Sequence, residues 1–280
     1  MTDKTKTWFI TGASRGLGLA IAQAALDAGD NIVATARYPD VMAQVLPASD
    51  RVLHVALDVT DPAQAEAAVA AATARFDTID VLVNNAGYGQ LGVFEEIAHQ
   101  NIALQFDTNV FGLMHVTRAA LPVMRAQKSG RIFNLSSIGG TLGFDVASVY
   151  CAAKFAVEGF SECLALELAP FNIGVTIVEP GFFRTDFLDA SSIKFADTSV
   201  ADYADYAQSS QTAYLTRNHQ QPGDPAKLGA ALVQLSRENE VPLRFAAGSD
   251  ALQYIGGAYT ARQAELASWG DLTRSTDITQ

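Results

Sequence analysis

Cysteine is scarce in this chain of 280 residues: Cys151 and Cys163 are the only two. If both lie on one helix, their separation in sequence puts them about 18 Å apart at 1.5 Å per residue. A disulfide tolerates roughly 7 Å between Cα atoms, so none is expected, and the chain reads as a reduced, cytoplasmic protein. Basic residues are also few, 19 against 30 acidic, for a net charge of −11. Nucleic acid and anionic membranes call for a basic face, and both are set aside as main partners. No apolar run reaches the roughly 18 residues that cross a bilayer. Residues Met1 to Thr7 lead straight into the strand-like Trp8-Phe9-Ile10, so no separate leader core is expected. The four histidines, His54, His99, His115 and His219, are widely separated, with no His-Glu-x-x-His or paired-cysteine spacing beside them. No metal is expected. Repeats and low-complexity segments are missing as well.

What the chain does have is apolar material, 49% of residues against 18% charged. That is ample for one large core or two small ones. Strand-like runs occur at Trp8–Thr11, Ile32–Thr35, Val52–Leu57, Val81–Val83, Arg131–Leu135, Val175–Val178 and Leu243–Ala246. They are almost continuously apolar, as strands covered on both faces of a parallel sheet are. Helical segments lie between them, at Leu17–Ala28, Pro62–Phe76, Ile102–Gln127, Ser148–Leu168 and Pro225–Leu235. Pro62 follows Thr60-Asp61, a capping residue ahead of a proline at the first helical position. The alternation predicts βαβ units and a doubly wound α/β fold, with helices on both faces of the sheet. No linker interrupts residues 1–280, which read as a single domain. The stretch 182–222 carries no clear strand and is rich in aromatics. It is either a helical insertion packed on the core or a lid over a binding crevice, and the two can hold together.

The first strand ends in Thr11-Gly12-Ala13-Ser14-Arg15-Gly16-Leu17-Gly18, and a helix follows at once. Glycines in such a turn let backbone N–H groups approach a pyrophosphate at the helix N-terminus. The spacing, Gly-x-x-x-Gly-x-Gly, is not the general Gly-x-Gly-x-x-Gly fingerprint. Its place after the first strand favours nucleotide binding over a plain tight connection. Asn31-Ile32-Val33-Ala34-Thr35-Ala36-Arg37 ends the second strand without the carboxylate that would hold a ribose 2′-hydroxyl. Arg37 offers a planar fork to a 2′-phosphate, and Arg15 can approach from the other side. Either arginine alone reads equally well as a solvated surface charge. Together with the missing acid they favour NADP(H) over NAD(H).

Tyr150 and Lys154 stand four apart on a helical stretch and share one face. Tyr-x-x-x-Lys is a weak pattern by itself, and what raises it is company. Ser137 lies 13 residues upstream, just past a strand; Asn84-Asn85-Ala86-Gly87 and Pro180-Gly181 close two others, and Asn109 sits in Asp107-Thr108-Asn109-Val110-Phe111-Gly112. Carboxyl ends of strands line the ligand crevice of an open α/β sheet. The chain thus resembles the short-chain dehydrogenases/reductases over nearly its whole length, with these motifs in the family's order. The resemblance implies a Rossmann-type domain and a catalytic tetrad of Asn109, Ser137, Tyr150 and Lys154. It further implies cofactor contacts along Gly12–Gly18, at Asp58 and Val59 near the adenine, at Asn85, Ala86 and Gly87, and at Pro180, Gly181 and Thr185. Phe183 departs from the smaller aliphatic residue the family more often has beside the nicotinamide, which affects pocket shape.

Those residue types suit carbonyl–alcohol interconversion. Negative charge grows on an oxygen that needs one proton donor and one group to hold it. Tyr150 can donate, and as phenolate it can accept; an unperturbed phenol titrates near pH 10, so a nearby ammonium is expected to ease its ionisation. The resemblance has Lys154 also holding the nicotinamide ribose, Ser137 holding the substrate oxygen, and Asn109 a water linking Lys154 to solvent. Ser136 is the alternative to Ser137, which the spacing to Tyr150 favours. Cys151 has no histidine at triad spacing and is not read as a nucleophile. Tyr88, Phe144, Phe182 and Phe183 follow strand ends, a position that serves either a substrate pocket or simple packing. The sequence predicts an NADP(H)-preferring oxidoreductase for a small, apolar carbonyl or alcohol, forming a homodimer or homotetramer through Ile102–Gln127 and Ser148–Leu168. Two rival readings are a cofactor-binding regulator without catalysis and a nucleotide-sugar epimerase or dehydratase. The second resembles a different glycine spacing and a longer chain.

Overall fold

The period-2 alternation of Trp8, Phe9 and Ile10 sends neighbouring side chains to opposite faces of one strand, and all three are fully buried. The computed structural model of the chain, which describes residues 5–47 and 49–278, shows why both faces are covered. The first residues of the Met1–Thr7 reading, through Lys4, lie outside the described residues.

Seven parallel strands form the main sheet: β1 (Thr7–Thr11), β2 (Asn31–Ala36), β3 (Val52–Ala56), β4 (Val81–Asn84), β6 (Gly130–Leu135), β7 (Ile173–Pro180) and β9 (Arg244–Ala247). Their order is β3-β2-β1-β4-β6-β7-β9. The chain starts in the middle, winds outward through β2 and β3, then returns to the other side of β1 with β4. The switch point lies between β1 and β4, and the crevice that follows is built at their carboxyl ends. Two short strands, β5 (Gly89–Gln90) and β8 (Ile193–Lys194), pair in parallel outside the sheet.

Helices cover both faces. On one, α1 (Gly16–Asp27) and α8 (Pro225–Arg237) bring Ile21, Ala22, Ala25, Leu228 and Leu232 against Trp8 and Ile10. On the other, α3 (Pro62–Phe76), α5 (Gly112–Gln127) and α6 (Ser148–Leu168) bring Ala65, Val116, Ala120 and Leu164 against Phe9, Val33 and Leu82. Asp61 caps α3 as expected, its carboxylate accepting from the N–H groups of Ala63 and Gln64. The remaining helices are α2 (Pro39–Val45), α4 (His99–Phe106), α7 (Ala204–Thr216), α9 (Ser249–Ser268) and α10 (Gly270–Arg274).

The segment 182–222 does contain a strand, β8, two residues long and too short for a sequence pattern to reveal, together with α7. The segment Ile102–Gln127 is not one α-helix either. Residues Asp107–Phe111 widen into a π-helical turn between α4 and α5. Both cysteines lie on α6 and are free, Cys151 buried and Cys163 exposed. No helix among the described residues is long and apolar enough to cross a membrane.

Candidate active site

After Thr11 the backbone passes through Gly12 (φ +66°) and Gly16 (φ +56°), in the left-handed region that favours glycine. Thr11 ties this turn to the end of β4. Its Oγ1 accepts from the N–H groups of Asn85 and Ala86, both at 2.9 Å. Asn85 Nδ2 returns two bonds, to the carbonyls of Thr11 (2.9 Å) and Gly12 (3.1 Å). A Cβ on Gly18 would lie 2.3 Å from the Gly12 carbonyl oxygen and 2.5 Å from Asn85 Nδ2. Gly18, expected among the cofactor contacts, therefore does not line the crevice but lets α1 pack beneath the turn. No side chain caps the N-terminus of α1 and no acid stands in its first turn. N–H groups unclaimed by side chains, at the positive end of a helix, suit an anion. These residues fit a dinucleotide pyrophosphate.

One crevice of about 620 Å³ runs from this turn across the ends of β1, β4, β6 and β7. Apart from Ala13 and Gly18 of the glycine turn, the residues expected at the catalytic, cofactor and substrate sites line it. One end is formed by Gly12, Ser14, Arg15, Gly16, Leu17, Arg37, Asp58 and Val59. Asp58 accepts from the N–H (3.0 Å) and hydroxyl (2.8 Å) of Thr60, which fixes that loop. Arg37 is exposed at the mouth, and β2 brings no carboxylate to the crevice. Arg15 also lines the crevice, but its guanidinium donates to Ser191, at 2.5 Å to the hydroxyl and 3.0 Å to the carbonyl. The glycine turn is thereby bonded to the 182–222 segment.

In the middle, α6 presents Tyr150 and Lys154 on one face, and Ser137 caps a short 3₁₀ turn after β6 by accepting from Gly139 N–H at 3.1 Å. Lys154 Nζ donates to the Leu135 carbonyl at 2.7 Å and lies 5.8 Å from the centre of the Tyr150 ring. Burial pushes the Lys154 ammonium down to about 8, partly offset by the Glu158 carboxyl one turn away. Burial also pushes the Tyr150 phenol well above its ordinary range, while a hydrogen bond with Ser137 acts the other way. The sequence reading expected the ammonium to make Tyr150 more acidic. In the structure burial dominates and the Lys154 charge is not among the groups that shift the phenol; the ring packs against Phe187, 5.8 Å between centroids. Ser136, the alternative serine, lies with its hydroxyl buried toward Glu158 rather than Tyr150.

Asn109 stands in the π-helical turn, and such bulges gather at functional sites. Its carboxamide pairs with the Tyr88 backbone, accepting from the N–H at 3.1 Å and donating to the carbonyl at 2.9 Å. Gly87 passes directly against it.

The far end is apolar. Leu91, Leu188, Ile193, Phe195 and Phe187 line it together with Phe144, Phe182 and Tyr214. Phe144, Phe182 and Tyr254 of α9 stand edge to face with centroids 5.8 to 6.4 Å apart. Phe183 lines the crevice and also packs on the core beside α1 and α8.

Sequence reasoning missed several supports. Asn84 donates to Thr117 Oγ1 (2.9 Å) and Asn134 Oδ1 (2.8 Å), and Asn134 donates to Ser161 Oγ at 2.8 Å. This buried chain links β4 and β6 to helices α5 and α6 just beneath the site. Polar residues inside apolar strands were the available signal. Of the histidines, His54 and His115 bond the carbonyls of Leu46 and Val59, and His219 lies by Asp189. Among the described residues no group of three or more His, Cys, Asp or Glu is placed to hold a metal.

A family model described as short chain dehydrogenase matches residues 6–194. The chain is 40% identical over 275 residues to an oxidoreductase, BOA17, of Botryotinia fuckeliana, covering 96% of this chain and 98% of that one. It is 37% identical over 239 residues to a 3-ketodihydrosphingosine reductase of Bacteroides thetaiotaomicron, covering 85% and 86%. A crystal structure of a short-chain dehydrogenase from Streptomyces avermitilis superposes with a TM-score of 0.89 at 42% identity, over 98% of this chain and 100% of the other.

Proposed function

The chain belongs to the short-chain dehydrogenase family of oxidoreductases, and on that premise we propose that it interconverts an apolar ketone or aldehyde and its alcohol with NADP(H). The observation that carries this reading is the meeting of Tyr150, Ser137 and Lys154 with the glycine turn in one crevice. When bound, the nicotinamide supplies or accepts the hydride, and its oxidised form adds a positive charge.

The chain's own residues do the rest. In reduction the Tyr150 phenol gives its proton to the carbonyl oxygen as that oxygen becomes an alkoxide. Burial raises the phenol and so opposes the loss of its proton, and charges that favour the phenolate have to offset it. The Ser137 hydroxyl holds the same oxygen. Lys154, anchored on the Leu135 carbonyl, faces the phenol with its charge and favours the phenolate left behind. In the oxidising direction that phenolate takes the alcohol proton. Asn109 fixes the Tyr88 strand end against the crevice.

Cofactor preference rests on Arg37 at the mouth and on the lack of a carboxylate at the end of β2. Substrate class rests on the aromatic and aliphatic far end, and the ketone-reductase name of one relative agrees with it. The 182–222 segment acts as the lid, since β8, Leu188, Phe195 and Tyr214 all wall that end. Residues 1–280 act as one domain, the free cysteines accord with a reducing cytoplasm, and the exposed Leu104, Phe111, Phe155 and Leu166 support the reading of α4 to α6 as the contact of a homodimer or homotetramer. The test is loss of NADPH absorbance with a panel of uncharged ketones and aldehydes. Turnover of apolar members with NADPH is expected, and no turnover of any member would favour a non-catalytic regulator.

A further inference from the structure

Behind Lys154, with Ser136 at the crevice wall, lies a second set of titratable groups. Glu158 and Glu179 are 7% and 2% exposed, and Ser136 and Thr141 are buried with them. Glu158 lies one turn after Lys154 on α6, on the same face. Its Oε2 accepts from Arg244 Nε of β9 at 3.2 Å, and Arg244 also pairs with the more exposed Glu162 at 2.8 Å. Glu179 of β7 accepts from Thr141 Oγ1 at 2.8 Å. Glu158 Oε1 and Ser136 Oγ are buried without a well-formed partner among the described residues. They flank one point: a Cβ on Gly140 would lie 2.3 Å from the hydroxyl and 3.0 Å from the carboxyl oxygen. From α9, Tyr259 acts on Arg244, and Arg262 bonds the Thr141 carbonyl.

Charge decides what this set can do. Two buried carboxyls face one arginine, whose charge is already shared with Glu162. Two carboxylates in one low-dielectric pocket with less than one counter-charge each do not both ionise easily. Burial, with Glu179 adding to it, pushes Glu158 up to about 7, while Ser136 and Arg244 favour its ionised form. The catalytic pair feels the result, because the Glu158 charge favours the Lys154 ammonium.

We propose that Glu158 is a positioning residue for proton transfer: its carboxyl, coupled to Glu179 and steadied by Ser136 and Arg244, sets the charge on Lys154 and through it the ionisation of Tyr150. The proposal rests on the reading of Tyr150 and Lys154 given above.

The test uses the full chain and needs no turnover. The six lysines are labelled with carbon-13 at Cε, Lys154 is assigned by Lys154→Arg, and its titration is followed by NMR. Glu158→Gln, which keeps the size and the Ser136 contact, is expected to lower the Lys154 midpoint by about 0.5 to 1 pH unit. Glu179→Gln removes an equal charge but leaves Glu158 easier to ionise, so the midpoint stays at or above the parent value. Ser136→Ala is the second route if Glu158→Gln does not fold, and it lowers the midpoint as well. An unmoved midpoint in Glu158→Gln, or equal lowering by both glutamine variants, overturns the proposal. Failure of the catalytic reading is seen separately, as a Tyr150→Phe protein that turns over as fast as the parent.

Discussion

The Asn109 carboxamide grips the Tyr88 backbone with two hydrogen bonds, one accepted and one donated. The grip spans two elements, the π-helical turn between α4 and α5 and the loop leaving β4. A substitution there should be felt both in stability and at the site. Asn109→Ala leaves the part-buried Tyr88 N–H without its partner, while the Tyr88 carbonyl keeps the Gln105 amide at 3.1 Å, and about 1 kcal/mol of stability should be lost. Urea unfolding measures it. Turnover is expected to fall with it because the Tyr88 loop lines the crevice; an unchanged unfolding midpoint would show that the two bonds carry no weight.

Tyr150→Phe removes the proton donor and nothing else of that size. Turnover is expected to drop by at least about a hundredfold, in line with the typical worth of general acid catalysis. NADPH affinity, measured by fluorescence titration, should stay within about a factor of two.

Arg37→Asp replaces a cation at the cofactor mouth with the charge that repels a 2′-phosphate. The ratio of kcat/KM for NADPH over NADH should fall by at least about tenfold, near 1.4 kcal/mol. A constant ratio would move the phosphate contact elsewhere, and Arg15 would be the next residue to test.

Much of this site was legible in the sequence because its parts obey local rules. Tyr150 and Lys154 are fixed by helical period, and the glycine turn is fixed by its position after a strand. The strand core followed from apolar runs that end where turn residues begin. What stayed hidden depends on long-range closure. Arg15 meets Ser191 across 176 positions, and no local pattern pairs them. The π-helical turn at Asp107–Phe111 holds weak helix formers but no proline or glycine to break the pattern, so the period alone read straight through it. The direction of the Tyr150 shift was also beyond reach, since it depends on how completely Phe187 and α6 enclose the ring.

Stability should depend on pH through Glu158. Its carboxyl is raised from an ordinary 4.5 to about 7 in the folded chain, so between those values the folded state holds a proton that the unfolded chain has lost. Stability is therefore fullest below about 4.5 from this group and declines as pH rises through 7. Glu158→Gln should flatten that decline, which thermal unfolding between pH 5 and about 7.5 would measure. Lys154, lowered from 10.5 to about 8, works in the opposite sense at higher pH, where the unfolded chain holds the extra proton and stability rises with pH.

Gly18→Ala is expected to weaken cofactor binding by at least about tenfold, because the added methyl would overlap the Gly12 carbonyl and Asn85 and push the turn apart. Gly256→Ala is its control. A Cβ there meets nothing within 4 Å on α9, and unfolding should show a gain of about 0.5 to 1 kcal/mol. If both behave alike, the close approach at Gly18 does not matter.

The two ends of the crevice differ in how they are made. Strand ends and interlocked amides such as Asn85 build one, whereas α7, β8 and their flanks wall the other with side chains that stand on the surface layer. Evolution can therefore rewrite the outer wall residue by residue while the inner socket keeps its shape. Diversification of what this protein accepts should accumulate between Phe182 and Gln221, and laboratory selection for new compounds would be best aimed there.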